Sequence, residues 1–277
     1  MKRRKAIAPI NALIYLLLSA GAFTMVLPFV WMLSTSLKSR RLINMYPPQW
    51  IPNPVAWDNY PRAIAAFPFF QYLLNNVKIT TAIIAGILLT SSLAGYAFSR
   101  MRFPFRDALF IVILAAIMIP GQVTMIPVFL LVRDLGWIDS HASLIIPSLV
   151  SPLGIFIMRQ YFLTIPRDLE DAAYIEGCSP LVVYAKIMLP LAAPALAALT
   201  VISFMGTWNS FMWPLILIST KSKQMLTVGL LQFMTQYNTE YNLLMAATLL
   251  SLAPIMIIYM FTQRYFVEGL ALSGIKG

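Results

Sequence analysis

The sequence predicts an all-α fold, a polytopic membrane bundle of six transmembrane helices. Three observations predict it. The residues are 60% hydrophobic with a mean hydropathy of +0.77. Only 11% are charged, against about one-quarter in an ordinary soluble domain. Lys and Arg stand at the ends of long apolar runs rather than in one patch. A chain of 277 residues accommodates about six spans of about 20 residues with short loops, which leaves no room for a soluble catalytic domain. The net charge of +10 invites a nucleic-acid reading, but dispersed cations orient a chain in a lipid bilayer. One cysteine and one histidine exclude a disulfide framework and argue against a metal site made by this chain alone.

The first apolar run follows Lys2, Arg3, Arg4 and Lys5 and is too long for a secretory signal, so residues 10–36 read as a retained first span with a cytoplasmic N-terminus. Residues 38–70 are expected outside. There Pro47, Pro48, Pro52 and Pro54 force extended backbone, because proline disfavours helix in the residue before it. Trp50 and Trp57 are expected near the headgroups. Span two, 72–98, ends in a turn whose Arg100, Arg102 and Arg106 mark the inside. Span three, 108–132, contains a break at 118–122, and 133–141 return outside. Span four is 143–162, with Asp139 or Ser140 capping the helix ahead of it. Span five is 191–218, an outer loop covers 219–240, span six is 241–263, and a cytoplasmic tail follows. The chain so divides into 1–71, 72–263 and 264–277. About twelve cations fall inside and about seven outside, and Lys38, Arg40 and Arg41 are the ones that strain this orientation.

Between spans four and five lies a polar island, 164–190, that holds four of the ten acidic residues: Asp168, Glu170, Asp171 and Glu176. Thr164 or Ile165 is expected just ahead of a helix whose first turn holds Pro166, Asp168 and Glu170. Gly177 stops that helix, and Ser179-Pro180 reads as an N-cap and first position of a second one running to Pro190. Leu169, Ala172 and Ala173 share a side at helical spacing, a face suited to docking.

Asp171-Ala172-Ala173, then Gly177 after three residues, then Ile187-Met188-Leu189-Pro190 after nine more, resemble the EAA loop of carbohydrate-type ABC importer permeases. Asp171 replaces the usual glutamate, Glu176 stands where aspartate is common, and Cys178 follows the glycine. The resemblance implies that Glu170, Asp171, Ala172, Ala173, Glu176, Gly177, Leu189 and Pro190 form a loop that couples this chain to a cytoplasmic ATPase, with Asp171 or Glu170 supplying the polar contact. It further implies a second, similar permease, two ATPase copies that bind ATP and Mg, and an extracytoplasmic solute-binding protein, with no cofactor on this chain. The substrate path is expected at Trp208, Asn209, Ser210 and Phe211, which mix aromatic and polar groups, with Gln122 and Thr124 on the same cavity.

Other classes find less support. His141 stands beside Asp139 and Ser140, too close in sequence for a catalytic triad, and a membrane-embedded enzyme needs clustered histidine or cysteine. Cys178 reads as a small residue at the corner rather than a reactive thiol at a helix N-terminus. The spans carry no convincing interior acid or base, which weakens an ATPase-independent secondary transporter or channel. A phosphate-binding loop is missing from the sequence, so ATP must bind elsewhere.

Overall fold

In the computed structural model, residues 2–234 and 239–274 are described, with side chains for 11–234 and 239–260. Among these the regular structure is helical, apart from an isolated bridge between Met234 and Thr239. The final residues 275–277, expected in the cytoplasmic tail, lie outside the described set.

The chain divides into two units. One comprises Met1–Phe69 and Gly229–Ala253, the other Phe70–Val228 and Pro254–Gly277. In the first, helix α1, Lys2–Ser36, carries within Asn11–Ser36 an apolar stretch of 18 residues of which none is buried within the chain. Its C-terminal carbonyls are closed by Asn59, at the start of α2, Asn59–Ala65. The Asn59 amide donates 2.8 Å bonds to Ser36 O and Lys38 O, and its carbonyl accepts from Asn242 Nδ2 at 2.9 Å. Two of the cations that strain the sequence-based orientation are engaged here. Buried Lys38 places Nζ 4.0 Å over the Trp31 ring, and burial lowers its pKa. Arg40 lies 3.7 Å from Glu240.

The second unit is built around α3, Phe69–Arg100. Buried residues along it, among them Tyr72, Asn76, Ile79, Ile83, Ile87, Ser91, Tyr96 and Ser99, recur every three to five positions and so line one face. Helices α4, Arg106–Ile117, and α5, Gly121–Asp134, replace the expected third span; they meet at 101°. Pro120 is the cause, since it lacks an N–H and holds an extended ψ of 132°. The expected fourth span falls within Ala142–Thr164, an apolar segment long enough to cross a membrane that opens with short helical turns at Ala142–Ile145 and Ile146–Ser148. Only its second half is a regular helix, α6, Pro152–Thr164, capped by Ser151 Oγ accepting from Gly154 N at 3.1 Å. After α7, Asp168–Ile175, come α8, Pro180–Leu191, and α9, Ala193–Trp208, bent by 73° at Ala192 between Pro190 and Pro194. Helix α10, Met212–Leu217, follows a further break, and α11, Tyr241–Gly274, continues beyond the expected end of span six. Four helical segments are long and apolar enough to cross a membrane, or up to six if each bent pair counts as one.

Glycines set the closest approaches of α3 and α6. A Cβ added at Gly95 would lie 2.6 Å from Met158 Cβ, and one at Gly154 would meet Ser91 Oγ. Small residues that bring backbones together are the usual means of helix association where apolar burial offers no net gain. The core around this seam includes Ile83, Ile87, Met158, Phe162, Val183 and Met188.

Candidate functional site

The polar island folds into a corner of two helices. Helix α7 begins at Asp168 with Arg167 as its N-cap residue, and Thr164 belongs to α6 instead of preceding α7. Arg167 O accepts from Glu170 N at 2.9 Å and Asp171 N at 3.0 Å. Three carboxylates in the first turn, Asp168, Glu170 and Asp171, sit at the positive end of the helix dipole. The helix ends in a Schellman motif: Cys178 N donates to Ala173 O and Gly177 N to Tyr174 O, both at 3.0 Å. Gly177 makes this turn at φ +82°, a conformation that glycine adopts without a Cβ clash. Pro180 then opens α8 as expected, but Ser179 makes no side-chain cap. Its carbonyl takes Val182 N and Val183 N instead. Half-buried Cys178 packs against the core.

The faces of α7 differ from those read from spacing alone. Ala173 points inward and is buried, whereas Leu169 and Ala172 are exposed and align with Ile175. Ile175 is 88% exposed and Leu181, on α8, 72%. Asp171, Glu176 and Gly177 are exposed as well, Leu189 is half-buried and Pro190 exposed. Glu170, expected as a surface alternative to Asp171, is only 5% exposed. Its Oε1 lies 2.9 Å from Arg100 Nε at the end of α3. Sequence reasoning missed Arg100 as a partner, having read it only as one of three inside cations. The available signal was its place four residues after Tyr96 on the same apolar helix.

The substrate-path residues are not gathered into one cavity. A cavity of about 300 Å³ is lined by Ser143, Ser148, Thr207, Ser210 and Trp213 over apolar residues including Ile79 and Met225. A second, about 370 Å³ and mostly apolar, is lined by Trp208, stacked on Phe204 with ring centroids 5.2 Å apart. Gln122, Thr124, Asn209 and Phe211 line neither. Thr124 Oγ1 bonds Gly121 O at 3.0 Å, and Asn209 Nδ2 bonds Met205 O at 2.9 Å.

Asp139 does not cap the following helix. It adopts φ +58° and closes over 217–223: Oδ1 accepts from Ser219 N at 3.0 Å and Thr220 N at 2.8 Å, and Oδ2 accepts from Thr220 Oγ1 and from Lys223 Nζ at 3.2 Å. The Thr220 hydroxyl and N–H hold its carboxyl well below the usual range. His141 Nε2 bonds Lys223 O at 2.9 Å, and Ser140 Oγ bonds Trp137 O, so the triad geometry is absent. Among the described residues there is no group of three or more His, Cys, Asp or Glu able to hold a metal.

A polytopic helical protein with an exposed two-helix corner between apolar segments is the class these features define. The chain belongs to the family of binding-protein-dependent transport system inner membrane components, whose pattern matches residues 82–271. It is 36% identical over 227 residues to the arabinooligosaccharides transport system permease protein of Halalkalibacterium halodurans, covering 82% of this chain and 81% of that one. It is 32% identical over 261 residues to the lactose transport system permease protein of Rhizobium radiobacter, covering 92% and 93%. To the sn-glycerol-3-phosphate transport system permease protein of Shigella flexneri it is 36% identical, covering 73% of each. The fold is shared with the crystal structure of a bacterial ABC transporter involved in the import of the acidic polysaccharide alginate, at a TM-score of 0.82 and 24% identity over 96% of this chain and 98% of that one.

Proposed function

We propose that this chain is one permease subunit of an ATP-driven importer. It forms part of the membrane path for a sugar or related solute delivered by an extracytoplasmic binding protein. Residues 164–190 dock on a separate ATPase subunit, which binds the ATP and Mg. A second, similar permease and two ATPase copies complete the assembly, and both termini of this chain are cytoplasmic. The chain itself catalyses no reaction. Family membership and relatives named for arabinooligosaccharides, lactose and sn-glycerol-3-phosphate support the transport reading.

The observation that carries the coupling is the outward face of the corner. Leu169, Ala172, Ile175 and Leu181 are exposed beside Asp171 and Glu176, in a loop between apolar segments. An apolar patch rimmed by acids is what a partner protein covers. Ala172 leaves space for close approach, and Gly177 sets the angle between the two helices. ATP binding closes the ATPase dimer and moves this corner, which biases the bundle between two arrangements; hydrolysis resets it. Trp208 and Ser210, each lining a cavity, are the first residues to test for solute contact.

Ile175→Asp tests the docking face without disturbing the core, because the side chain is 88% exposed. In detergent, the tagged ATPase is expected to co-purify with the wild-type permease and to fall at least about tenfold with the variant, the loss expected from burying one unpaired charge at an interface. Transport that persists when the ATPase is deleted would instead establish an ATPase-independent carrier.

A further inference from the structure

Glu170 sits on the reverse of the corner, and its surroundings come from several elements. Its Oε1 and Arg100 Nε are 2.9 Å apart, with side-chain exposures of 6% and 5%. The N–H is not aligned along this contact, so it is ionic rather than a linear hydrogen bond. Arg100 Nη2 also donates to Phe162 O and Ile165 O, the carbonyls where α6 ends. One turn back on α3, Tyr96 OH lies 3.4 Å from Glu170 Oε2 and 3.4 Å from Tyr174 OH. A further turn back, Ser92 Oγ is 2.7 Å from Tyr184 OH on α8. Residues 92, 96 and 100 therefore form one polar stripe on α3 that touches α6, α7 and α8.

We propose that the Arg100–Glu170 pair is the internal strut through which displacement of α7 reaches α3. Both are then positioning residues of the transport cycle and neither contacts the ATPase. The inference rests on the reading of the corner as the docking element. Its physical basis is register. Apolar faces slide past one another at little cost, whereas separating a buried ion pair leaves two uncompensated charges. Anchored on two carbonyls of the α6 terminus, the guanidinium cannot follow the carboxylate, so α7 moves only together with α3 and α6. A buried ion pair adds little to stability over apolar packing, so transmission gives it a role that packing does not.

The test uses the complete reconstituted transporter in proteoliposomes, with three readouts: ATPase co-purification, ATP hydrolysis stimulated by loaded binding protein, and solute moved per ATP hydrolysed. Glu170→Gln is expected to retain the ATPase as well as wild type does, while solute moved per ATP falls at least about tenfold, within the range of ordinary coupling between sites. Arg100→Gln/Glu170→Gln leaves no lone buried charge and is expected to show the same split. The exchange Arg100→Glu/Glu170→Arg is expected to recover part of the lost ratio. An unchanged ratio in both Gln variants overturns the inference. So does loss of ATPase as severe as that of Ile175→Asp, which would put Glu170 at the interface, or failure of both variants to insert, which would make the pair a folding requirement only. If Ile175→Asp itself retains ATPase and transport, the docking reading fails, and that outcome is distinct from an uncoupled Glu170 variant.

Discussion

Gly95 lies where α3 and α6 touch backbone to backbone, and replacing it with alanine tests the seam directly. The new Cβ would stand 2.6 Å from Met158 Cβ and 2.9 Å from Arg159 N, whereas non-bonded carbons prefer about 3.5–4.0 Å. Neither atom can swing away, since Met158 is fully buried and both are held by the helix. The helices must separate by on the order of 1 Å, at about 1–3 kcal/mol for overpacking. Better helix propensity returns up to about 1 kcal/mol, leaving a net loss of up to about 2 kcal/mol when that gain is realised in full. Gly206→Ala on α9 is the same chemical change with nothing within 4 Å of the new carbon, so only the propensity gain remains. Thermal unfolding in detergent, followed by intrinsic fluorescence, is expected to show Gly95→Ala lowering the apparent midpoint, by up to about 8 °C. The Gly206 variant is expected to match or exceed wild type. Equal shifts in the two variants, or a rise for Gly95→Ala, would refute a seam set by backbone contact.

Asn59→Ala strands Ser36 O, Lys38 O and the Asn242 amide, at about 1–3 kcal/mol per unsatisfied buried group. Hydrogen exchange at 36–42 should accelerate, and unchanged exchange there would contradict the cap. For Asp139, hydrogen bonds from Thr220 depress the folded pKa, so the clasp contributes above the ordinary carboxylate value of about 3.9 and is lost only as pH falls below it toward the folded value. Proteolysis near Lys221 and Lys223 should stay flat from about pH 8 to 5 in wild type and rise throughout in Asp139→Asn; a wild-type rise between about pH 7 and 5 would overturn this sign. Gly177→Ala forces a Cβ into φ +82°, at about 1–2 kcal/mol. Exchange at 173–178 should increase in the order glycine, asparagine, alanine, since asparagine tolerates left-handed backbone better, and equal rates would exclude this cause.

Local chemistry was the legible part. Residues 72–98 carry their apolar stripe in the spacing itself, and Gly177 with Ser179-Pro180 announced the corner because a glycine stop and a proline start need no distant partner. Pro120 announced a break, but the spacing carried no sign of its angle of 101°. Nonlocal pairing was illegible. Asp139 suited a helix cap, yet found stronger donors eighty-one positions later at Thr220. Glu170 and Asp171 are adjacent acids on one short helix, and only the fold turns the first toward Arg100 and the second toward solvent. Among the three arginines of the turn, Arg102 is exposed and Arg106 contacts Asp107 at 2.9 Å. Arg100 alone continues the stripe of Ser92 and Tyr96.

Cys178, one residue beyond the φ +82° corner, gives this region a built-in clock. It is the single cysteine in the sequence, its N–H is tied to Ala173 O, and its side chain is half-buried against the core. A maleimide reagent therefore labels one position, at a rate proportional to the fraction of time the corner is sprung. Labelling through successive nucleotide states would time the corner's motion without adding a residue to the chain.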